Sequence, residues 1–86
     1  MMNGIEAVRA FGFEPGEEVV ADIAGAEVFA VDEGAALAAA FVPPWTIGRI
    51  VSRVRRGRQP AYVLAFEHHG SRCVCIADES AIAGVA

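Results

Sequence analysis

Four residues whose side chains bind metals or act in catalysis crowd into one ten-residue stretch, EHHGSRCVCI at positions 67–76. They are His68, His69, Cys73 and Cys75. Two thiolates and two imidazoles form a ligand set found in structural zinc sites. A thiol beside a histidine can also begin a nucleophilic site, which further needs an orienting acid and an oxyanion hole.

The spacing of these four residues favours an ordinary β-hairpin. Cys73 and Cys75 share a strand face with their Cα atoms about 6.5–7 Å apart, at or beyond the limit for a disulfide. His68 and His69 point to opposite sides of the turn, so at most one of them easily joins the thiols. We therefore expect no metal, no cofactor and two reduced cysteines that pack as small hydrophobes, with both histidines in solvent.

The length of the hairpin turn decides which strand face carries the cysteines. A two-residue loop pairs Glu67 with Arg72 and puts both thiols on the face of Leu64 and Phe66. A three-residue loop pairs Glu67 with Ser71 and puts them on the opposite face. Both faces are apolar, so the sequence leaves the two registers open, although the opposite charges favour the shorter loop.

Arginines dominate the segment 49–58, which is the second candidate for chemistry. Strand alternation predicts Arg49 and Arg53 on one face, with three further arginines on the following loop. Guanidinium groups contact phosphates, and aromatic rings stack on bases. The alternative is a solvated hairpin tip that resists edge-to-edge aggregation. The candidate nucleic-acid-binding residues are Arg49, Arg53, Arg55, Arg56, Arg58, Trp45 and Tyr62.

Composition predicts one small domain, residues 1–86, with surplus apolar surface. Hydrophobic residues make up 55% of the 86 residues, and a chain of this size has little interior. The net charge is −4, but residues 1–43 hold eight acids and one arginine, whereas 44–86 hold three acids and six arginines. We expect the halves to neutralise each other within the domain or across a subunit contact, with a basic binding patch as the alternative.

Nothing in the chain predicts secretion or a membrane span. Acidic and basic residues interrupt the first 14 positions, so no signal peptide is expected. The longest charge-free run covers the 15 residues 34–48 and contains Pro43-Pro44, which is too short and too broken to cross a bilayer. The sequence therefore predicts a cytoplasmic protein without a membrane partner.

Periodicity and turn residues predict the elements that position these side chains. A short N-terminal helix is expected over 3–11, and a second over 33–41 that Pro43-Pro44 ends. Tyr62, Leu64 and Phe66 alternate onto one face, which we expect to be the core face. The predicted strands are 17–24, 26–32, 45–54, 61–67 and 71–77, with a closing turn near 78–81.

Residues 45–85, about half of the chain, resemble small SH3-like β-barrels. IGRIV precedes a basic loop, PAYVLAFEHHG supplies the next strand and a tight hairpin, and VCIADESAI ends in a polar turn. The resemblance implies a mainly β barrel of about five strands, to which the sequence adds the N-terminal helix and the helical insertion near 33–41. Unrelated functions share this fold, so it implies no activity by itself.

The W-x-x-G-R-I-V and Y-V-L-A-F-E-H-H-G-S patterns also resemble the plasmid- and integron-borne type II dihydrofolate reductases. That family has a Val-Gln-Ile-Tyr stretch lining the pore of a tetramer, and a functional lysine. Here the corresponding residues are Val74, Cys75, Ile76 and Ala77, and the chain contains no lysine. The resemblance thus implies a related barrel and argues against the reductase activity.

The sequence therefore predicts a non-enzymatic protein-interaction module that forms a homo-oligomer through its apolar surface. One alternative is a small RNA-binding barrel that uses the Arg49–Arg58 strand and loop. Another is a pore-type enzyme related to the reductases. A further protein partner is left unidentified.

Overall fold

The computed structural model describes residues 10–31, 36–37 and 45–86, which are mainly β. A single 3₁₀ turn at Glu79–Ala81 is the only helical turn in this part of the chain. The strands are β1 (Glu18–Asp22), β2 (Val28–Ala30), β3 (Ala36–Leu37), β4 (Trp45–Arg56), β5 (Gln59–His68), β6 (Ser71–Asp78) and β7 (Ile82–Val85). They form one antiparallel sheet in the order β3-β2-β6-β5-β4-β1-β7.

This sheet is open, so the predicted closure into a barrel is wrong. The two edges are β3 and β7, and no pairing between described strands joins them. The reason lies at β6, whose side away from β5 pairs with β2. Because β2 then pairs with β3, β6 is followed by two further strands at this side of the sheet and does not lie next to β7.

The two predicted helices receive no support from the described residues. The first, over 3–11, lies outside them except for Ala10 and Phe11, neither of which is helical. Within the second, over 33–41, the described pair Ala36–Leu37 forms β3 against β2, so a helix there is wrong; the rest lies outside the described residues. A helix this short depends on tertiary packing, and at this position β2 offers ladder hydrogen bonds instead.

The central strand β5 separates an inner face from an outer face. The side chains of Tyr62, Leu64 and Phe66 are buried on the inner face, as predicted, while Val63 and Ala65 point to the outer face and are half-buried. This alternation follows from the two-residue period of a strand. The names inner face and outer face refer below to these two sides of the sheet.

The inner face carries the hydrophobic core. Every second residue of β1 and β6 is buried there, and loop residue Ile23 joins them. Phe11 and Phe13 pack against this cluster from a segment that precedes β1. The core residues are Val19, Ala21, Ile23, Val28, Ile50, Tyr62, Leu64, Phe66, Cys73, Cys75, Ala77 and Ile82.

A β-bulge at Val51 interrupts the pairing of β4 with β5. Ile50 lies opposite Leu64, but the next registered pair is Ser52 with Val63. Val51 is therefore an extra residue, and one extra residue reverses which face each later side chain occupies. Arg53 consequently lies opposite the inward-facing Tyr62.

Candidate functional site

The EHHGSRCVCI hairpin has the two-residue loop. Glu67 lies opposite Arg72, and the central loop residues His69 and Gly70 have φ angles of 52° and 80°. Positive φ at both central residues is what a type I′ hairpin turn requires, and its twist matches that of the strands. The backbone geometry of the turn therefore fixes the register that the sequence had left open.

This register buries both thiols and leaves His69 at the exposed turn. Cys73 lies opposite Phe66 and Cys75 opposite Leu64, so both cysteines are buried as free thiols on the inner face, as the shorter loop predicts. His69 is exposed at the turn, as predicted, whereas His68 is half-buried, so the expectation that both histidines lie in solvent holds only for His69. Within the described residues, no group of three or more histidine, cysteine or acidic side chains converges as a metal site would require. The four side chains thus do not form one centre.

Burial also makes Cys75 a poor nucleophile. Loss of hydration, with a smaller contribution from the neighbouring Cys73, raises the pKa of the Cys75 thiol to about 11. The thiolate is the reactive form of cysteine, so this thiol is almost entirely unreactive at neutral pH.

The bulge divides the arginines of β4 between two faces, so the prediction that Arg49 and Arg53 share a face is wrong. Arg49 precedes the bulge and lies on the outer face, opposite Ala65. Its guanidinium pairs with Glu18 at 2.9 Å and donates to the Gly16 carbonyl at 2.7 Å. Arg49 is thus held by the neighbouring strand and turn.

The arginines beyond the bulge also have partners within the chain. The guanidinium carbons of Arg53 and Arg55 lie 5.2 Å and 4.4 Å from the centre of the Phe11 ring, within range of a cation–π interaction. Arg56 pairs with Asp78 at 3.5 Å. The Arg58 carbonyl, in the turn after β4, accepts a hydrogen bond from Arg55.

The two aromatic candidates do not complete a nucleic-acid interface. The Tyr62 side chain is completely buried, so its ring is not available to stack on a base. Trp45 is exposed, but it lies at the opposite end of β4 from the arginine loop. The structure therefore brings Arg53 and Arg55 together over Phe11 and leaves the other proposed contacts dispersed.

Tyr62 has a role that the strand pattern does not reveal. Its hydroxyl accepts hydrogen bonds from the backbone N–H groups of Gly12, at 3.0 Å, and Phe13, at 3.1 Å. It donates one to the Glu79 carboxylate at 2.5 Å. The Phe11 and Phe13 rings meet the Tyr62 ring edge to face, with centroids 5.7 Å and 5.8 Å away. Tyr62 thus fastens the segment before β1 to the end of β6.

Desolvation is the main reason that the pKa of Tyr62 lies above its ordinary value of 10.0, and the hydrogen bond to Glu79 adds to the shift. The phenol therefore stays neutral and can donate to the carboxylate throughout the neutral range. The only sequence signal for this network was a polar atom on a core-facing ring, which usually finds a partner when buried. Its partners lie 50 and 17 positions away along the chain.

An open groove of about 610 Å³ lies beside this network, lined by Phe13, Pro60, Asp78, Glu79 and Ile82 among others. The two acids in its wall already have partners, because Asp78 pairs with an arginine and Glu79 accepts the Tyr62 hydroxyl. Both carboxylates therefore stabilise the fold by contacts within the chain.

The outer face carries a group of apolar side chains on β2, β6, β5 and the first half of β4. Pairings between strands place Phe29 beside Val74, Val74 beside Ala65, and Ile76 beside Val63. Four large side chains on this face are well exposed: Phe29 by 41%, Ile76 by 43%, Ile47 by 59% and Trp45 by 60%. An antiparallel sheet with one wet face normally places polar residues there.

Charges on the outer face occur mostly in opposite pairs. Arg49 contacts Glu18, Arg56 contacts Asp78, and Arg72 is registered opposite Glu67. Asp22, opposite Trp45, adds one further acid. Counted over its strands alone, this face holds three arginines and four acids, a net charge of −1, so it attracts neither polyanions nor polycations strongly.

No family model, curated protein or solved structure matches this chain. In the described part, no helix has the length and apolar character needed to cross a membrane. The functional argument therefore depends on the two faces of the sheet and their residues.

Proposed function

We propose that this chain is a non-enzymatic protein-interaction module that associates with further copies of itself through exposed apolar surface. The observation that carries the proposal is the group of large apolar side chains left exposed on the outer face, of which Trp45, Ile47 and Ile76 are examples. Contiguous apolar patches beyond a few hundred Å² are rare on monomeric proteins and mark interaction sites.

The fold in this proposal is an SH3-like strand arrangement in an open form. Five strands follow one another as β6-β5-β4-β1-β7, and the 3₁₀ turn at Glu79–Ala81 precedes β7. This succession supports the resemblance found in residues 45–85. SH3-like folds host many binding functions, so the surface and not the fold carries the functional argument.

The alternatives have weaker support. Nucleic-acid binding needs cations and stacking rings on one surface, whereas Arg49 lies across the sheet from Arg53 and Tyr62 is buried. A pore-type reductase activity has little support, because this chain lacks the glutamine, tyrosine and lysine that the type II reductases use. For a different enzymatic activity, the buried Cys75 and the partnered acids Asp78 and Glu79 offer no acid–base pair in an open cleft.

Sedimentation velocity across the micromolar range tests the proposal. We expect the weight-average mass to rise with concentration towards a dimer or a higher oligomer, and a chain that remains monomeric would contradict it. A gel shift with generic RNA at several salt concentrations is the companion measurement. Binding that weakens steeply with salt would favour the nucleic-acid alternative, because phosphate contacts release counterions.

A further inference from the structure

The geometry points to a specific partner and surface: two copies of this chain pack outer face against outer face around a two-fold axis. This inference rests on the proposed self-association and adds the surface, the partner and the symmetry. The outer side chains of Phe29, Val63 and Ile76 then form the centre of the contact, with Ile47 and Trp45 towards one end.

The strand β5 gives the first reason that a second layer covers the outer face. Between Gln59 and Glu67, all seven residues are apolar, including Val63 and Ala65 on the outer face. Strands with one solvated face alternate apolar and polar residues, whereas strands covered on both faces read as continuous apolar runs. Among the described residues Val63 and Ala65 remain only half-buried, and Val63 lines an open groove of about 620 Å³ with Val74 and Ile76, so this face can receive a further layer.

The size of the patch fits a dimer. The exposed parts of Phe29, Trp45, Ile47 and Ile76 provide roughly 400 Å² of apolar surface, to which the half-buried Val63, Ala65 and Val74 add. A stable interface buries about 800 Å² per partner, of which about 60% is apolar. The patch therefore supplies about the apolar area that one side of such an interface needs.

The charges favour a second copy over a strongly charged partner. The chain as a whole carries −4, which disfavours a strongly acidic partner. On the outer face the net charge is only −1, because the arginines there are matched by Glu18, Asp78 and Glu67. A face this close to neutral adds little repulsion when two identical chains meet on it and gives little attraction for a strongly charged partner.

A two-fold axis lying in the plane of the interface makes the contact isologous, with the same patch contributed by each copy. Two sheets packed face to face lie about 10 Å apart, which leaves room for one interdigitated layer of side chains. Each substitution then enters the interface twice. A charge placed at the centre is buried without a partner on both sides.

The test uses the full chain and three variants that each add one arginine. Ile76→Arg and Phe29→Arg place it at the centre of the outer face. Val85→Arg is the matched control, because Val85 is 61% exposed and lies opposite the inward-facing Val19, away from the outer face. Sedimentation velocity gives the dimer dissociation constant, and circular dichroism melts confirm that each variant folds.

We expect both outer-face variants to raise the dissociation constant at least a hundredfold and Val85→Arg to change it less than threefold. Self-association that survives Ile76→Arg and Phe29→Arg would overturn this inference and leave the proposed function intact. A wild-type chain that stays monomeric would overturn both.

The single tryptophan provides a measurement that needs no variant. Trp45 lies on the outer face, so acrylamide should quench its fluorescence less efficiently as concentration and association increase. Equal quenching in the monomeric and associated states would contradict coverage of this face, even if an arginine variant failed to fold.

Discussion

Replacing Tyr62 with phenylalanine should destabilise the fold far more than the loss of one oxygen atom suggests. The hydroxyl holds three partners at once: the backbone N–H groups of Gly12 and Phe13, and the Glu79 carboxylate. The ring itself stays in the core, so Tyr62→Phe keeps the packing against Phe11 and isolates the hydrogen bonds.

The expected cost follows from what each partner loses. The hydrogen bond to the charged Glu79 contributes about 1.5–3 kcal/mol. The Phe13 N–H loses the acceptor that the structure gives it, whereas the Gly12 N–H keeps a second acceptor, Glu79 Oε1, at 2.9 Å. Leaving this partly buried N–H without an acceptor adds about 1 kcal/mol to the loss of stability. We therefore expect Tyr62→Phe to lower the free energy of unfolding by about 3 kcal/mol.

Urea unfolding followed by circular dichroism measures this cost, with the protein concentration held fixed because the proposed association would contribute to stability. Ser80→Ala is the control, since Ser80 is exposed beside Glu79, and it should change the free energy by less than about 0.5 kcal/mol. Glu79→Gln keeps an acceptor but removes its charge and should cost about 1 kcal/mol. A Tyr62→Phe cost below about 0.5 kcal/mol, with an unchanged urea dependence, would refute the reasoning.

Three further predictions concern the core, the turn and pH. Phe66→Ala should lower the free energy of unfolding by about 3–5 kcal/mol, because Phe66 is buried in the core. Arg56→Ala removes only an exposed ion pair of 3.5 Å and should cost less than about 1 kcal/mol. The reverse order in thermal or urea unfolding would contradict the assigned strand faces. His69→Asn should stabilise by up to about 1 kcal/mol, because asparagine tolerates the positive φ of 52°, while the control His68→Asn should be nearly neutral. Burial raises the pKa of Cys75 in the folded state from 9.0 to about 11. The contribution of the neutral thiol to the free energy of unfolding is therefore fully present below pH 9, and it falls by about 2–3 kcal/mol as the pH rises to 11. Cys75→Ala should remove the part of the alkaline loss that begins at pH 9.

The hairpin of β5 and β6 was the part of the fold most accessible from sequence. The alternation of Tyr62, Leu64 and Phe66 identified the core face, and opposite charges on Glu67 and Arg72 favoured the correct register. These are local signals, in which a two-residue period and a short turn settle the geometry. The two-residue turn requires positive φ at both His69 and Gly70. The sequence indicated this backbone conformation only at Gly70, because histidine rarely adopts it.

The bulge at Val51 was not predicted, and it changed the candidate site most. The alternation of apolar and polar residues in IGRIVSRV breaks at Ile50-Val51 and Ser52-Arg53, where β4 gains an unpaired residue, but adjacent apolar residues also occur in strands that are covered on both faces, so this break alone does not identify a bulge. The extra residue moved Arg53 to the side of Tyr62 and left Arg49 across the sheet. A functional prediction that depends on one strand phase is therefore fragile wherever a long strand bends.

Long-range partners explain the remaining errors. The contact of Tyr62 with Gly12 and Phe13 spans about fifty positions, and pairing of β6 with β2 joins residues 29 and 74. Neither contact leaves a local periodicity to detect. The helix expected around Ala36–Leu37 had weak local support, and a β2 partner was sufficient to override it.

The apolar content of the chain takes on a specific meaning once the two faces are separated. Globular domains stack at least two layers of secondary structure around a core, because each sheet face that is apolar must be covered. Here the segment containing Phe11 and Phe13 helps to cover the inner face. The outer face exposes large apolar side chains such as Ile47 and Ile76, and no described layer covers them. Association of two such sheets would complete the second layer, and it would explain why so small a chain can use 55% hydrophobic residues.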